Sequence, residues 1–195
     1  MPPGRPPLPR GVDCFETCAE APDEVTLDTS FVVSLLNSGE PHHGGSRRFA
    51  DLLVASQSLV VYNRLLEIEL VEVAFKLAVK ERHGTKAWPA KRGDGRVRPR
   101  AGRLARELLR SWGDFLEAVP YLCVELHEVS DDVPEAMIRW GLGSYDAVHV
   151  VSALYAGNQR IVTVDAGFGA VPEQHLTIYT DASRLRSTRR RRGGA

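Results

Sequence analysis

Short runs rich in Val, Ile, Leu and Tyr recur along this chain, and longer stretches with helical spacing lie between them. The runs fall at residues 25–28, 59–62, 121–126, 160–164 and 176–180. Between them, Phe49, Leu52 and Leu53 mark a helix over 46–55. Leu104, Leu108, Leu109, Trp112, Phe115 and Leu116 mark another over 101–118. Further helices are predicted from residue 30 to the Asn37-Ser38-Gly39 stop, over 64–82 behind an Asn63 cap, over 131–140 and over 144–156. Strands alternating with helices need crossover connections, which make neighbouring strands parallel and cover both faces of the sheet. The pattern therefore predicts an α/β chain, a three-layer α/β/α fold around a central, mostly parallel sheet.

At 195 residues the chain suits one domain with appended ends. Residues 1–23 are rich in Pro and have no hydrophobic period, so they read as a flexible extension. Residues 24–182 hold the predicted domain, interrupted at 85–100 by a basic, Pro- and Gly-containing loop; 183–195 form an Arg-rich tail. Apolar runs fall far short of the ~20 residues that span a bilayer. The N-terminus has no apolar core of a secretory signal. Three cysteines are too few for a disulfide framework. The expected setting is the reducing cytoplasm, with no membrane partner.

The formal net charge of zero hides a segregation. Residues 80–103 carry nine Lys or Arg against Glu81 and Asp94, and 184–195 add six Arg and no acid. The rest of the chain keeps ten bases and 23 acids. Such a body gathers cations at one place and polyanions at another.

Two predicted strands end on acids, VTLD at Asp28 and IVTVD at Asp165. Ligands of open parallel sheets bind in the crevice beyond the carboxyl ends of the strands, where both acids would sit. Asp146 opens an apolar helix in GSYDAVHVVSAL, and NRLLEIELVEV sets Glu67, Glu69 and Glu72 on another. Each acid also has a plain structural reading: Asp28 and Asp165 as caps, Asp146 as complement to a helix dipole, the glutamates as a solvated face. Their coincidence beside Val- and Ile-rich segments is the functional signal. Two carboxylates ~4 Å apart repel by about 4 kcal/mol at an effective dielectric near 20. Converging acids therefore hold protons or bind a divalent cation. An all-oxygen site suits Mg²⁺ or Mn²⁺ rather than Zn²⁺.

The ordered set LDTSFVV, NRLLEIELVEV, GLGSYDAVHVVSAL and IVTVDAGFG resembles the PIN domain, a metal-dependent ribonuclease fold, and especially the VapC-type toxins of toxin–antitoxin pairs. The resemblance spans roughly residues 25–182. It implies an acidic quartet of Asp28, Glu69, Asp146 and Asp165. Asp28, Asp146 and Asp165 would hold Mg²⁺ or Mn²⁺, and Glu69 would complete the site. Glu67 leaves the register of that glutamate open, and Asn63 stands where a Ser is common in the family. Thr29, Ser30 and Thr163 would supply hydroxyls nearby. The implied activity is endonucleolytic cleavage of RNA, restrained by a cognate antitoxin that covers the acidic site, in a homodimer. Lys91, Arg92, Arg96, Arg98 and Arg100 of the basic loop are candidates for holding the RNA backbone.

Other readings are weaker on the residues. A haloacid-dehalogenase phosphatase needs a second Asp two positions after the first, where this chain has Ser30. A receiver domain needs a late-strand Lys that IVTVDAGFG lacks. A non-catalytic RNA- or protein-binding module of the same fold would normally show a broken quartet. Cys14 and Cys18, upstream of His42-His43, make only a loose zinc pattern. Trp88 either stacks on a base or anchors the basic loop. His149, one turn from Asp146, either supports the site or fills the core.

Overall fold

The computed structural model describes residues 11–15 and 18–181. Six strands form one sheet: β1 (Val12–Cys14), β2 (Glu24–Leu27), β3 (Leu59–Asn63), β4 (Tyr121–Val124), β5 (Arg160–Val162) and β6 (Thr177–Thr180). Their order is β1-β6-β5-β2-β3-β4, and every pairing is parallel. The helices are α1 (Thr29–Leu36), α2 (His43–Ala55), α3 (Leu65–His83), α4 (Arg98–Leu116), α5 (Leu126–Val129), α6 (Val133–Trp140) and α7 (Ser144–Tyr155).

Strand alternation sorts the core into two layers. Val60, Tyr62, Val162 and Tyr179 face one side, where they meet Phe31, Phe49, Leu66 and Trp112 of α1 to α4. Val61, Ile161 and Ile178 face the other, where they meet Ala136 of α6 and Ala147, Val150 and Val151 of α7. Successive residues of a strand point to opposite faces, so both faces must be covered and both are. The result is the three-layer α/β/α arrangement expected, with a sheet that is wholly rather than mostly parallel.

Two expectations need correction. Residues 12–14 were expected within an irregular extension, yet they form β1, paired in register with Ile178, Tyr179 and Thr180. A three-residue strand carries too little period to show in a sequence. What fixes it is tertiary: Phe15 stacks on Phe49 at 4.9 Å and meets Phe31 edge-on at 5.6 Å. Gly11, at φ 73°, brings the chain so close that a Cβ there would lie 2.7 Å from Glu173 Cβ. The second correction concerns the basic loop, which is shorter than 85–100. A 3-10 turn occupies Thr85–Ala87, and α4 begins at Arg98 with Pro in its first turn. Val97 is buried against Ala78, Val79 and Ala101, and this small core closes the α3–α4 hairpin. Residues 1–10 and the arginines of 184–192 lie outside the described residues.

The chain leaves β2 toward β3 and β4 on one side, and returns to β5 on the other. The carboxyl ends of β2 and β5 therefore flank a topological switch point, where a crevice opens between outgoing connections.

Candidate active site

Asp28 is the first residue beyond β2. Its backbone N–H donates to Val162 O at 3.0 Å, which ties the strand end to β5. Its carboxylate caps α1 by accepting from Ser30 N at 3.2 Å. The same Oδ2 accepts from the hydroxyls of Ser30 and Thr163, the latter at 2.8 Å. The structural and functional readings of Asp28 therefore do not exclude each other. Capping alone does not explain its burial, since only 4% of the residue is exposed. Burial pushes its carboxyl above the ordinary range; His149, Ser30 and Thr163 act against that rise, and Glu69 adds to it.

Asp165 lies beyond β5 and is exposed. Its Oδ1 accepts from Gly167 N at 2.9 Å, and its N–H donates to Thr163 Oγ at 2.9 Å. Thr163 thus bridges the ends of both central strands. Asp146 enters from the first turn of α7. Its carboxyl is pushed up to about 6, first by burial, then by the negative charges of Asp28 and Asp165, with His149 opposing and Glu69 adding. Gly167 lies where these acids meet. A Cβ there would stand 3.3 Å from Asp146 Oδ2 and 3.5 Å from Asp165 Oδ1, so a side chain at 167 would press on the two carboxylates.

Glu69 comes from the second turn of α3. Its Oε2 accepts from Thr29 Oγ at 2.6 Å and from His149 Nε2 at 2.9 Å. Glu67 is engaged elsewhere, by Arg64 Nη1 at 3.0 Å and by the Tyr62 hydroxyl at 3.2 Å. The register left open in the sequence is thereby decided for position: Glu69 faces the crevice and Glu67 does not. His149 is 1% exposed, and its Nε2 also lies 3.6 Å from Asp28 Oδ1 and 3.3 Å from Thr29 Oγ. Burial alone would lower its pKa, but the bond to Glu69 and the charges of Asp28, Glu69 and Asp146 outweigh it and hold the imidazole above its usual value. His149 is both of the things its spacing allowed, a core residue and a partner of the site. The signal was its place three residues after Asp146, on the same helix face.

Asp28, Glu69, Asp146 and Asp165 thus come from four separate segments to one end of the sheet. Among the described residues, no three His, Cys, Asp or Glu side chains are already grouped to hold a metal ion. Asp28 and Glu69 are turned to Ser30, Thr163, Thr29 and His149 instead. The donor chemistry nevertheless suits a hard cation. The acids offer oxygens only, Asp28 is raised by burial and by the charge of Glu69, and Asp146 is raised by burial and by the charges of Asp28 and Asp165.

The basic candidates lie in the connection between α3 and α4 and in the first turn of α4. Arg92 sits over the rings of Phe75 and Trp88, at 5.5 and 5.7 Å, and 4.0 Å from Glu72. Arg100 Nε donates to Glu81 at 2.9 Å and Arg98 to Gly93 O at 3.2 Å. Lys91 and Arg96 are exposed. Trp88 packs against the hairpin's small core, so it anchors the loop.

No described helix is long and apolar enough to cross a membrane. The model of the PIN domain family matches residues 25–174. No curated protein matches the chain in sequence. A crystal structure of Mycobacterium tuberculosis VapC20, a sarcin–ricin-loop-cleaving toxin, is similar at 20% identity and a TM-score of 0.46, over 75% of this chain and 93% of that one.

Proposed function

The chain belongs to the PIN-domain family, and from that premise we propose that it is a Mg²⁺- or Mn²⁺-dependent endoribonuclease, the toxin of a type II toxin–antitoxin pair. The observation that carries the reading is the convergence of Asp28, Asp146 and Asp165 on one switch point, with Asp146 raised to about 6 by burial and its acidic neighbours.

Asp28, Asp146 and Asp165 are the residues that would hold the cation, and Glu69 completes the set. A divalent ion there supplies charge neutralisation at a phosphodiester and a more acidic bound water. The chain's own groups do the rest. Ser30 and Thr163 hold Asp28 in one orientation, which a cation site requires. Glu69 orients or accepts the proton of the attacking water through its unengaged oxygen. Lys91 and Arg96 of the hairpin hold the RNA backbone, and Arg92, Arg98 and Arg100 shape the surface that presents them. The Arg-rich tail adds salt-sensitive affinity for phosphates. In the cytoplasm, a cognate antitoxin restrains the enzyme by placing a basic side chain among the acids, and the toxin acts as a homodimer. Residues 24–182 form the nuclease unit, to which β1 adds an edge.

The test is cleavage of a mixed-sequence RNA by the full chain with Mg²⁺ or Mn²⁺, against EDTA, with Asp28→Asn as control. Cleavage that requires the cation and is lost in Asp28→Asn supports the reading. RNA binding without cation-dependent cleavage would instead mark a non-catalytic module.

A further inference from the structure

Glu69 is the one glutamate of the quartet, with a longer side chain than the three aspartates, and it is held twice by one oxygen. We propose that His149, with Thr29, is the positioning residue that fixes Glu69 in the site; this rests on the nuclease reading of the same crevice. Thr29 Oγ and His149 Nε2 both donate to Glu69 Oε2, at 2.6 and 2.9 Å. No described group bonds Oε1, so Glu69 offers the crevice a single oxygen in a fixed direction.

The imidazole is placed for this work and for little else. Every neighbour of Nε2 accepts: Glu69 Oε2, Asp28 Oδ1 at 3.6 Å, and Thr29 Oγ at 3.3 Å, whose own proton is directed at Glu69. Nε2 therefore carries a hydrogen. On the other side of the ring, buried Nδ1 has no partner among the described residues. A histidine kept for the core would be expected to satisfy both nitrogens; this one spends its polar contacts on the acids. Its backbone is rigid as well, one turn into α7 from Asp146. The same Nε2 lies within 3.6 Å of Asp28 Oδ1, so one ring nitrogen faces both carboxylates while bonding one of them. Fixing a water-orienting carboxylate through a hydrogen-bonded partner is how such sites keep their geometry, and losing the partner typically costs ten- to a hundredfold.

Two substitutions separate positioning from packing. His149→Leu fills the space without a donor, and His149→Gln places an amide N–H near the position of Nε2. Thermal melting checks that each folds. The expected result for His149→Leu is a kcat for RNA cleavage lower by roughly ten- to a hundredfold with KM little changed, and Mn²⁺ affinity by titration calorimetry weakened on the same order. His149→Gln should restore most of both. In a Glu69→Gln background, His149→Leu should cost nothing further, because the residue acts through Glu69. Equal losses in the Leu and Gln variants, additive losses in the double variant, or failure of both to fold would overturn the proposal. If the wild-type chain cleaves no RNA, the ribonuclease reading fails, while the Mn²⁺ titration still decides the role of His149.

Discussion

Between α3 and α4 opposite charges are paired, whereas at the carboxyl edge of the sheet like charges are crowded. Arg100 meets Glu81 at 2.9 Å, Arg92 lies near Glu72 and over two rings, and Asp94 meets His83 at 2.9 Å. In the crevice, Asp28 and Asp165 meet hydroxyls and backbone N–H groups, Asp146 meets the field of other acids, and His149 is the basic group bonded among them. Both regions looked alike in the sequence, as clusters of one sign. Their partners separate them: a compensated charge stabilises a shape, and an uncompensated one waits for a ligand. Of the five basic candidates, Lys91 and Arg96 come nearest to the second condition.

Asp28 carries the severest test of this contrast. Asp28→Asn should reduce RNA cleavage by more than the ~100-fold typical of losing an outer partner. It should leave the metal-free melting temperature no lower than wild type, because Asn also caps a helix and a buried carboxylate is removed. A large drop in melting temperature alongside the activity would mean that Asp28 serves the fold rather than a ligand. Next in size, Lys91→Ala with Arg96→Ala should weaken RNA binding several-fold at low salt. The slope of log K against log salt should flatten by about 0.7 for each phosphate left without its cationic side chain. Filter binding across a salt series measures this, and an unchanged slope would move the RNA elsewhere.

The third effect is a pH dependence. Asp146 has a folded-state pKa of about 6, above the ordinary 3.8. Its proton is bound more tightly in the folded state, so its contribution to stability is full below about 3.8 and lost as pH rises through about 6. Without divalent cations, wild type should therefore lose melting temperature relative to Asp146→Asn across that window, and Mn²⁺ at neutral pH should reverse the order. Parallel curves would show that Asp146 is not crowded. The smallest effect belongs to the hairpin: Arg92→Ala should cost about 0.5–1 kcal/mol, because the guanidinium no longer covers the rings of Phe75 and Trp88. Chemical denaturation measures it, with little change expected in cleavage.

Much of this arrangement was legible in the sequence. The strand at 25–28, the helix at 64–82 and the helix at 144–156 differ from β2, α3 and α7 by one residue at most ends, because their apolar period is long or their caps are explicit. The order of strands was not legible, since alternation with helices implies parallel pairing and says nothing of which strands are neighbours. β1 and α5 are too short to carry a period. In the crevice, Asp28, Asp146 and Asp165 stand at positions that sequence marks, two strand ends and a helix start. Glu67 and Glu69 could not be separated, because α3 is apolar on so much of its surface that two nearby polar positions look equivalent. Only the Arg64 and Tyr62 contacts of Glu67 remove it. The basic loop was legible only as a composition. Its composition suggested an open nucleic-acid surface, and the intramolecular partners of Arg92, Arg98 and Arg100 occur only once the hairpin folds.

The family match ends at residue 174 and begins at 25, so it omits both β1 and β6. A chain trimmed to that span would leave β5 as the sheet's margin, with its backbone N–H and C=O groups unpaired and Ile161 and Val162 stripped of cover. Open, apolar margins recruit other copies of themselves. It would also lack Phe15, which packs against both Phe31 and Phe49. The short N-terminal strand itself pairs with β6 and covers that strand's outer side. A purification tag or truncation that disturbs residues 11–15 would open the β6 margin and be felt first as precipitation, with the chemistry of the acids intact in whatever stayed in solution.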